Sequence, residues 1–225
     1  MKKTVITSIS AIALLIIAVF SVLCEWCKGY LLASVLGAVL CCLPFFFTFE
    51  NKKTTTSYVV LVAVMTAVSV TGRFLFAPIP FFKPVSAIVI LTALSLGGQA
   101  GFVTGAMSAL VSNFYFGQGP WTPFQMLTWG LIGFFAGLLS KKLSKNIILL
   151  SLYGALAGLF YSLVMDSWTV LFMDGSLNVR RYFAVILTSL PITLCYVVSN
   201  VIFLLVLSKP VGNTLDRLVK KYGIL

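Results

Sequence analysis

The chain has 225 residues, of which 60% are hydrophobic and 9% are charged, and its formal net charge is +11. With a mean hydropathy of +1.08, this balance excludes a water-soluble globular domain and predicts an all-α protein that is integral to the cell membrane and crosses it several times. The basic residues stand in short clusters between apolar runs, a pattern typical of membrane topology and not of nucleic-acid binding.

Region 1–50 contains two apolar runs, which predict transmembrane helices at 4–23 and 29–49. The first run follows two lysines, as a secretory signal would, but it is long for a signal and no small residues mark a cleavage site at its end. Cys24 and Cys27, between the runs, have the spacing of a redox pair. We interpret them instead as an incidental pair or a small disulfide on the outer face, because they join two apolar runs and no second cysteine pair lies nearby.

Six further apolar runs predict a six-helix core over residues 57–208, followed by a basic cytoplasmic tail at 209–225. The predicted helices lie at 57–75, 84–97, 99–115, 124–140, 146–165 and 182–208. The second and third of them are separated only by Gly97, Gly98 and Gln99, so the pair is either a tight hairpin or one broken helix.

The distribution of positive charge predicts the orientation of the eight spans. With the amino terminus inside, eleven of the sixteen Lys and Arg residues fall on the cytoplasmic side, and a change of one span would destroy this bias. We therefore expect both termini to be cytoplasmic. The connections at about 74–83 and at about 113–123 then face outside.

The second of these outer connections combines aromatic rings with amides. Asn113, Gln118 and Gln125 supply hydrogen-bonding edges, while Phe116 and Trp121 supply flat apolar area. This mixture is typical of a pocket for a small molecule with flat faces and polar edges. Because Asn113 and Trp121 lie at an outer turn, we expect replacement of either by Ala to weaken ligand binding without unfolding the protein.

Four more residues are candidates for contact with a substrate. Arg73 and the nearby Phe76 lie at the outer end of the predicted helix 57–75. Lys83 lies at the start of the predicted helix 84–97, and Asp166 lies at the end of the predicted helix 146–165. Charges near membrane depth are costly and are usually kept for a partner or a ligand. Each of the charged residues could equally reach the lipid headgroups, so the interpretation stays open.

The chain has no histidine, and we expect no metal site, no cofactor and no catalytic residue. Small residues spaced four apart predict close contacts between helices, at Gly101 with Gly105 and at Gly133 with Gly137.

Several stretches within residues 58–142 resemble one family. They are Gly-Arg-Phe-Leu-Phe at 72–76, Lys-Pro-Val at 83–85, and Ser-Asn at 112–113 running into Phe-Gly-Gln-Gly-Pro-Trp-Thr-Pro at 116–123. Together they resemble the substrate-binding S components of energy-coupling factor (ECF) vitamin transporters. Ala63 and Ala67 match the Ala-x-x-x-Ala motif with which members of that family contact the membrane coupling protein.

The resemblance implies a six-helix core with an outward-facing vitamin pocket, preceded here by two extra helices. The loop at 117–123 is most similar to that of cobalamin-type members, so cobalamin is the expected vitamin. The chain has no Walker motif, and the resemblance implies that separate coupling and ATPase subunits supply the energy. The alternative is an ion-coupled secondary transporter of a small organic solute, which predicts carboxylates within the membrane or discontinuous helices in matched halves; neither is clear in the sequence. An intramembrane enzyme is not expected, because the sequence has no histidine, no carboxylate pair and no nucleophile–base combination.

Overall fold

The computed structural model describes residues 55–224 and five isolated residues before them, at positions 35, 39, 40, 42 and 43. All regular structure in the continuous part is helical. The helices are α1 (Thr56–Leu75), α2 (Val85–Leu96), α3 (Gly98–Phe116), α4 (Thr122–Leu138), α5 (Ser140–Leu143), α6 (Ile147–Asp174) and α7 (Val179–Lys221).

Three of these helices, α1, α6 and α7, are long and apolar enough to cross a membrane. The prediction of an all-α membrane protein is confirmed at this level. The count of eight spans and the cytoplasmic position of both termini remain predictions. The predicted helices at 4–23 and 29–49, with Cys24 and Cys27, lie outside the described residues, apart from the five isolated positions.

The short helix α2 occupies the centre of the bundle. It has 12 residues and is buried on all sides, which explains why its sequence is apolar all round. Such a helix is about 18 Å long, well short of the ~30 Å hydrocarbon layer of a bilayer. Because α2 begins only at Val85, space is left at that end of the bundle.

The chain turns between α2 and α3 at a single glycine. Gly97 has φ 91°, a conformation that residues with a β-carbon rarely adopt. Beyond the turn, Gly101 lies against Ala93 of α2, as a tight hairpin requires. Of the two alternatives left by the sequence, the structure therefore has two helices rather than one broken helix.

Glycines allow α3 and α4 to approach closely. A β-carbon placed on Gly101 would lie 2.8 Å from the carbonyl oxygen of Gly133, and one placed on Gly137 would collide with the backbone of Gly98. Real β-carbons do not approach other atoms this closely, so the contact needs glycine. The helix contacts predicted for these glycine pairs are confirmed.

Helices α6 and α7 form an antiparallel pair that completes the bundle. Each begins at an asparagine cap: Oδ1 of Asn146 accepts the backbone N–H of Ile148 at 2.9 Å, and Oδ1 of Asn178 accepts that of Arg181 at 3.2 Å. Helix α6 continues to Asp174, nine residues beyond the predicted end at 165. Asp166 is therefore an interior residue of α6 and not its last one.

Helix α7 likewise continues past the predicted end at 208, to Lys221. Its last turns are part of the core, because Leu215 is buried in one cluster with Tyr58 and Leu61 of α1. The Tyr58 hydroxyl also donates to the Leu96 carbonyl oxygen at 3.2 Å. Apolar residues of the segment predicted as a tail, among them Val211, Leu218 and Val219, thus pack on the end of the bundle away from Val85.

One of the five isolated described residues packs against the bundle. Cys42 is buried and belongs to a cluster with Phe102 and Ala106 of α3. Partly buried apolar residues of α4 pack on the same cluster.

Candidate functional site

A cavity of about 290 Å³ lies at the end of the bundle where α1 and α3 end and where α2 and α4 begin. It occupies the space next to the start of α2, since Val85 and Ser86 belong to its wall. Helices α6 and α7 close it from the side. The wall consists of Arg73, Ala77, Pro80, Phe81, Lys83, Val85, Ser86, Phe116, Gln125, Trp129, Gly158, Tyr161, Tyr196 and Asn200.

Arg73, in the last turn of α1, is the polar centre of this wall. Its Nη1 donates to Oδ1 of Asn113 at 2.8 Å and to the Ser112 hydroxyl. The guanidinium carbon lies 4.5 Å from the ring centre of Phe116 and 5.2 Å from that of Trp129. Aromatic faces attract a cation, so both rings help to hold the charge at the cavity.

A chain of amides continues from Arg73 across the bundle. Nδ2 of Asn113 donates to Oε1 of Gln125 at 2.7 Å and to the Thr122 hydroxyl at 2.9 Å. Nε2 of Gln125 in turn donates to the Tyr161 hydroxyl at 3.0 Å. These bonds join α1, α3, α4 and α6, and they orient the Gln125 side chain in the cavity wall.

Aromatic rings make up much of the apolar part of the wall. The rings of Trp129 and Tyr161 are stacked at 5.1 Å and 11°, and Tyr196 meets Tyr161 edge-on at 4.9 Å. Phe81 faces Tyr196 from the loop between α1 and α2, with ring centres 5.9 Å apart. Phe81 has φ 59°, a strained value for a bulky residue, which indicates that the surrounding loop forces its position.

Lys83 belongs to the same loop and joins its two ends. Its ammonium donates to the carbonyl oxygens of Ile79, at 2.9 Å, and of Phe76. The carbonyl oxygen of Lys83 accepts the Ser199 hydroxyl of α7 at 3.0 Å. Burial and the positive charge of Arg73 lower the pKa of Lys83 below the ordinary lysine range.

The structure places the nine predicted substrate-binding residues in three positions. Arg73, Lys83, Phe116 and Gln125 lie on the cavity wall. Asn113 lies behind the wall and holds Arg73 and Gln125. Away from the cavity lie Phe76, Gln118, Trp121 and Asp166.

The residues away from the cavity have other contacts. Phe76 packs edge-on against Phe203 at 4.9 Å. Trp121 meets Trp168 edge-on at 5.6 Å. These contacts are between aromatic side chains and leave both rings off the cavity wall.

The two remaining polar residues also have partners within the protein. Gln118 is exposed, and its Nε2 donates to the Leu110 carbonyl oxygen at 2.9 Å. Asp166 is buried in α6 and accepts the Ser189 hydroxyl at 2.7 Å.

The position of Asn113 in the structure differs from the one expected from the sequence. It was expected at an outer turn, where replacement would spare the fold. It is instead a residue of α3 with 1% of its surface exposed, and it bonds to Arg73, Thr122 and Gln125. Its loss would leave buried polar groups without partners, so Asn113→Ala is expected to destabilise the fold.

The sequence did not single out Trp129, Tyr161, Tyr196 and Asn200, although all four are on the wall. Three of them are amphipathic aromatics and one is an amide, all within otherwise apolar helices. A polar or hydroxyl-bearing side chain in such a helix needs a partner in the protein. The presence of these four residues in apolar helices could therefore have marked them as candidates. Nδ2 of Asn200, for example, donates to the Gly154 carbonyl oxygen at 3.1 Å.

Among the described residues, no group of three or more His, Cys, Asp or Glu is placed to hold a metal ion. The wall instead offers rings, amides, hydroxyls and two cations. This set suits an organic ligand that has flat apolar faces and polar edges.

Fold and cavity together define an α-helical membrane protein with a small-molecule pocket at one end of its bundle. The family model for the ECF-type riboflavin transporter, S component, matches residues 53–213. The chain therefore belongs to this family, and the resemblance seen in the sequence is confirmed. Searches of curated proteins and of solved structures gave no match.

Membership places the chain in a functional class. S components are multi-pass membrane proteins that act as substrate-binding subunits of vitamin transporters and are not themselves enzymes. The family also implies an ECF module with a membrane coupling protein and ATPase subunits as partners. The family model is of the riboflavin type, and the cobalamin assignment receives no support from it.

Proposed function

We propose that this S component captures a flavin vitamin of the riboflavin type in the cavity beside Arg73. The observation that carries the proposal is the composition of the wall: five aromatic residues together with the amides of Gln125 and Asn200. A three-ring flavin offers flat faces for such rings and carbonyl and N–H edges for such amides.

Cavity size favours a flavin over the corrinoid expected from the loop at 117–123. A volume of about 290 Å³ lies at the lower limit of the ~300–1,000 Å³ that is usual for pockets of drug-sized ligands. A corrinoid with its nucleotide loop is several times larger than a flavin ring system, and it would leave most of its surface outside. We therefore favour the smaller, planar vitamin.

The binding experiment is a titration of the purified, detergent-solubilised chain with riboflavin and with cobalamin, followed by tryptophan and flavin fluorescence. We expect saturable riboflavin binding at one site without ATP or an ion gradient, and no binding of cobalamin. Binding of cobalamin alone would reverse the assignment. Sodium- or proton-dependent binding would favour the ion-coupled alternative.

For partner docking, we propose the face of α1 that carries Ala63 and Ala67. Both alanines are exposed, and the neighbouring Val60 and Val64 are exposed as well. Small residues four apart allow a second helix to approach closely in lipid. This face therefore suits contact with a helix of the coupling protein.

The docking face can be tested separately from the pocket. Ala63→Leu combined with Ala67→Leu is expected to keep riboflavin binding in detergent and to abolish uptake in cells that contain the complete transporter. Ala184→Leu, at an exposed alanine of α7, is the matched control and keeps both activities. Normal uptake by the double variant would contradict the proposed docking face.

A further inference from the structure

The cavity wall carries two positive charges and no acidic residue among its described members. Arg73 and Lys83 both belong to the wall, and both are partly buried. Uncompensated cations in a partly desolvated site cost free energy, and such cations usually mark a counter-ion or an anionic ligand.

The carboxylates in the described part of the chain have other contacts. Asp166 accepts the Ser189 hydroxyl at 2.7 Å, and Asp216 accepts that of Ser95 at 3.2 Å. Asp174 forms an ion pair of 2.7 Å with Arg181. None of the three belongs to the cavity wall.

The contacts of Arg73 and Lys83 are all with neutral groups. Arg73 donates to a hydroxyl and an amide oxygen and lies against aromatic rings, while Lys83 donates to two backbone carbonyl oxygens. These partners fix the two side chains in place, but they do not cancel the charges. Burial and Arg73 lower the pKa of Lys83, which agrees with electrostatic repulsion between the two cations.

The start of α2 adds to the positive potential of the cavity. Val85 and Ser86, its first two residues, are on the wall, and no side chain caps this end of the helix. The first backbone N–H groups of a helix and its dipole both favour an anion. The carboxyl ends of α1 and α3 lie at the same end of the bundle and act in the opposite direction, so the inference rests on the two charged side chains.

We propose that the substrate carries an anionic group that is held by Arg73 and Lys83, and that the site prefers riboflavin 5′-phosphate to neutral riboflavin. This inference rests on the proposed flavin-binding function and specifies its substrate. The ring system lies among the aromatic residues, and the phosphate lies near Lys83 and the start of α2. A phosphate accepts charge-assisted hydrogen bonds, which are stronger than neutral ones.

The test is a pair of titrations, with riboflavin and with riboflavin 5′-phosphate, in a neutral detergent free of phospholipid. We expect the phosphorylated flavin to bind at least about tenfold more tightly, the factor that corresponds to one charge-assisted hydrogen bond. Its affinity falls as salt is added, while that of riboflavin stays constant. Equal affinities overturn the inference and leave the flavin function standing, whereas failure of both flavins to bind rejects both.

Two variants and a competing lipid test whether Lys83 causes the preference for riboflavin 5′-phosphate. In Lys83→Gln the ratio of the two affinities falls towards one, while Lys141→Gln, at an exposed lysine of α5, keeps the wild-type ratio. Added phosphatidylglycerol leaves the preference intact if the cations serve the soluble ligand. Loss of the preference on this addition would assign the cations to lipid headgroups and overturn the inference. The wild-type ratio and its salt dependence decide the matter even if Lys83→Gln folds poorly.

Discussion

Nη1 of Arg73 donates a hydrogen bond of 2.8 Å to Oδ1 of Asn113, and this bond joins the end of α1 to the end of α3. Asn113 also donates a hydrogen bond to Gln125, and Gln125 donates one to the Tyr161 hydroxyl. One continuous polar network therefore joins four of the helices that contribute to the cavity wall. Buried networks of this kind are sensitive to the loss of any single member, since each loss leaves partners unsatisfied.

Asn113→Ala is expected to lower the free energy of unfolding by about 1–3 kcal/mol for each buried partner left without a hydrogen bond. The measurement is thermal unfolding in detergent without ligand. Asn213→Ala is the matched control, because Asn213 is an exposed asparagine of α7 outside this network. A thermal midpoint for Asn113→Ala equal to that of the control would contradict the role of the network.

Gly101→Ala is expected to destabilise the protein by about 1–3 kcal/mol, the usual cost of overpacking. The new β-carbon would lie 2.5 Å from that of Ala93 and 2.8 Å from the carbonyl oxygen of Gly133, so a helix must move. Gly212→Ala, in α7, is the control: its β-carbon meets no atom within 4 Å. There alanine raises stability by about 0.5–1 kcal/mol, because it lowers the entropy of the unfolded chain. If both variants changed stability in the same direction, close packing of α3 would not be the cause.

Two variants of Tyr161 separate its ring from its hydroxyl in flavin binding. Tyr161→Phe keeps the ring next to Trp129 and removes only the acceptor of the Gln125 hydrogen bond. We expect about a fivefold loss of riboflavin affinity, corresponding to ~1 kcal/mol. Tyr161→Ala also removes the stacked ring, and we expect a further loss of about tenfold or more. Isothermal titration of both variants checks the order, and equal affinity of wild type and Tyr161→Ala would remove Tyr161 from the site.

The lowered pKa of Lys83 predicts a pH dependence of anion binding. The charged form of Lys83 is disfavoured in the ligand-free protein by burial and by Arg73, so its charge is lost at lower pH than that of an ordinary lysine. A bound anion needs this charge. Affinity for riboflavin 5′-phosphate is therefore full below the lowered pKa and decreases as the pH rises through it.

The lowered pKa of Lys83 has the opposite effect on the stability of the ligand-free fold, which increases as the pH rises. The folded state holds the Lys83 proton less tightly than the unfolded chain, so the destabilisation by the charged lysine is full below the lowered pKa and disappears as the pH rises from that value to the ordinary lysine pKa. Dissociation constants measured across the alkaline range test the binding prediction, with riboflavin as the neutral ligand. Lys83→Arg keeps its charge throughout this range and is expected to shift the decrease to higher pH. An unchanged profile in this variant would assign the titration to another group.

The sequence by itself determined the membrane class, the approximate positions of the helices in residues 55–224 and the family. These properties depend on local patterns: the length of apolar runs, the glycines and prolines that end them, and short motifs. The contacts of Gly101 and Gly133 were also predictable, because close helix approach in lipid requires small residues at a fixed spacing.

Only the tertiary structure decided which side chains meet at the cavity. Tyr161 and Tyr196 come from helices far along the chain from Arg73, and nothing in the spacing of their neighbours indicates which face of each helix is inward. In a membrane, residues that face lipid and residues that face the core are equally apolar, so hydropathy does not distinguish the two faces. Helix pairing therefore made Asn113 a buried support of the cavity, brought Tyr161 and Tyr196 into its wall, and placed Trp121 and Asp166 outside it.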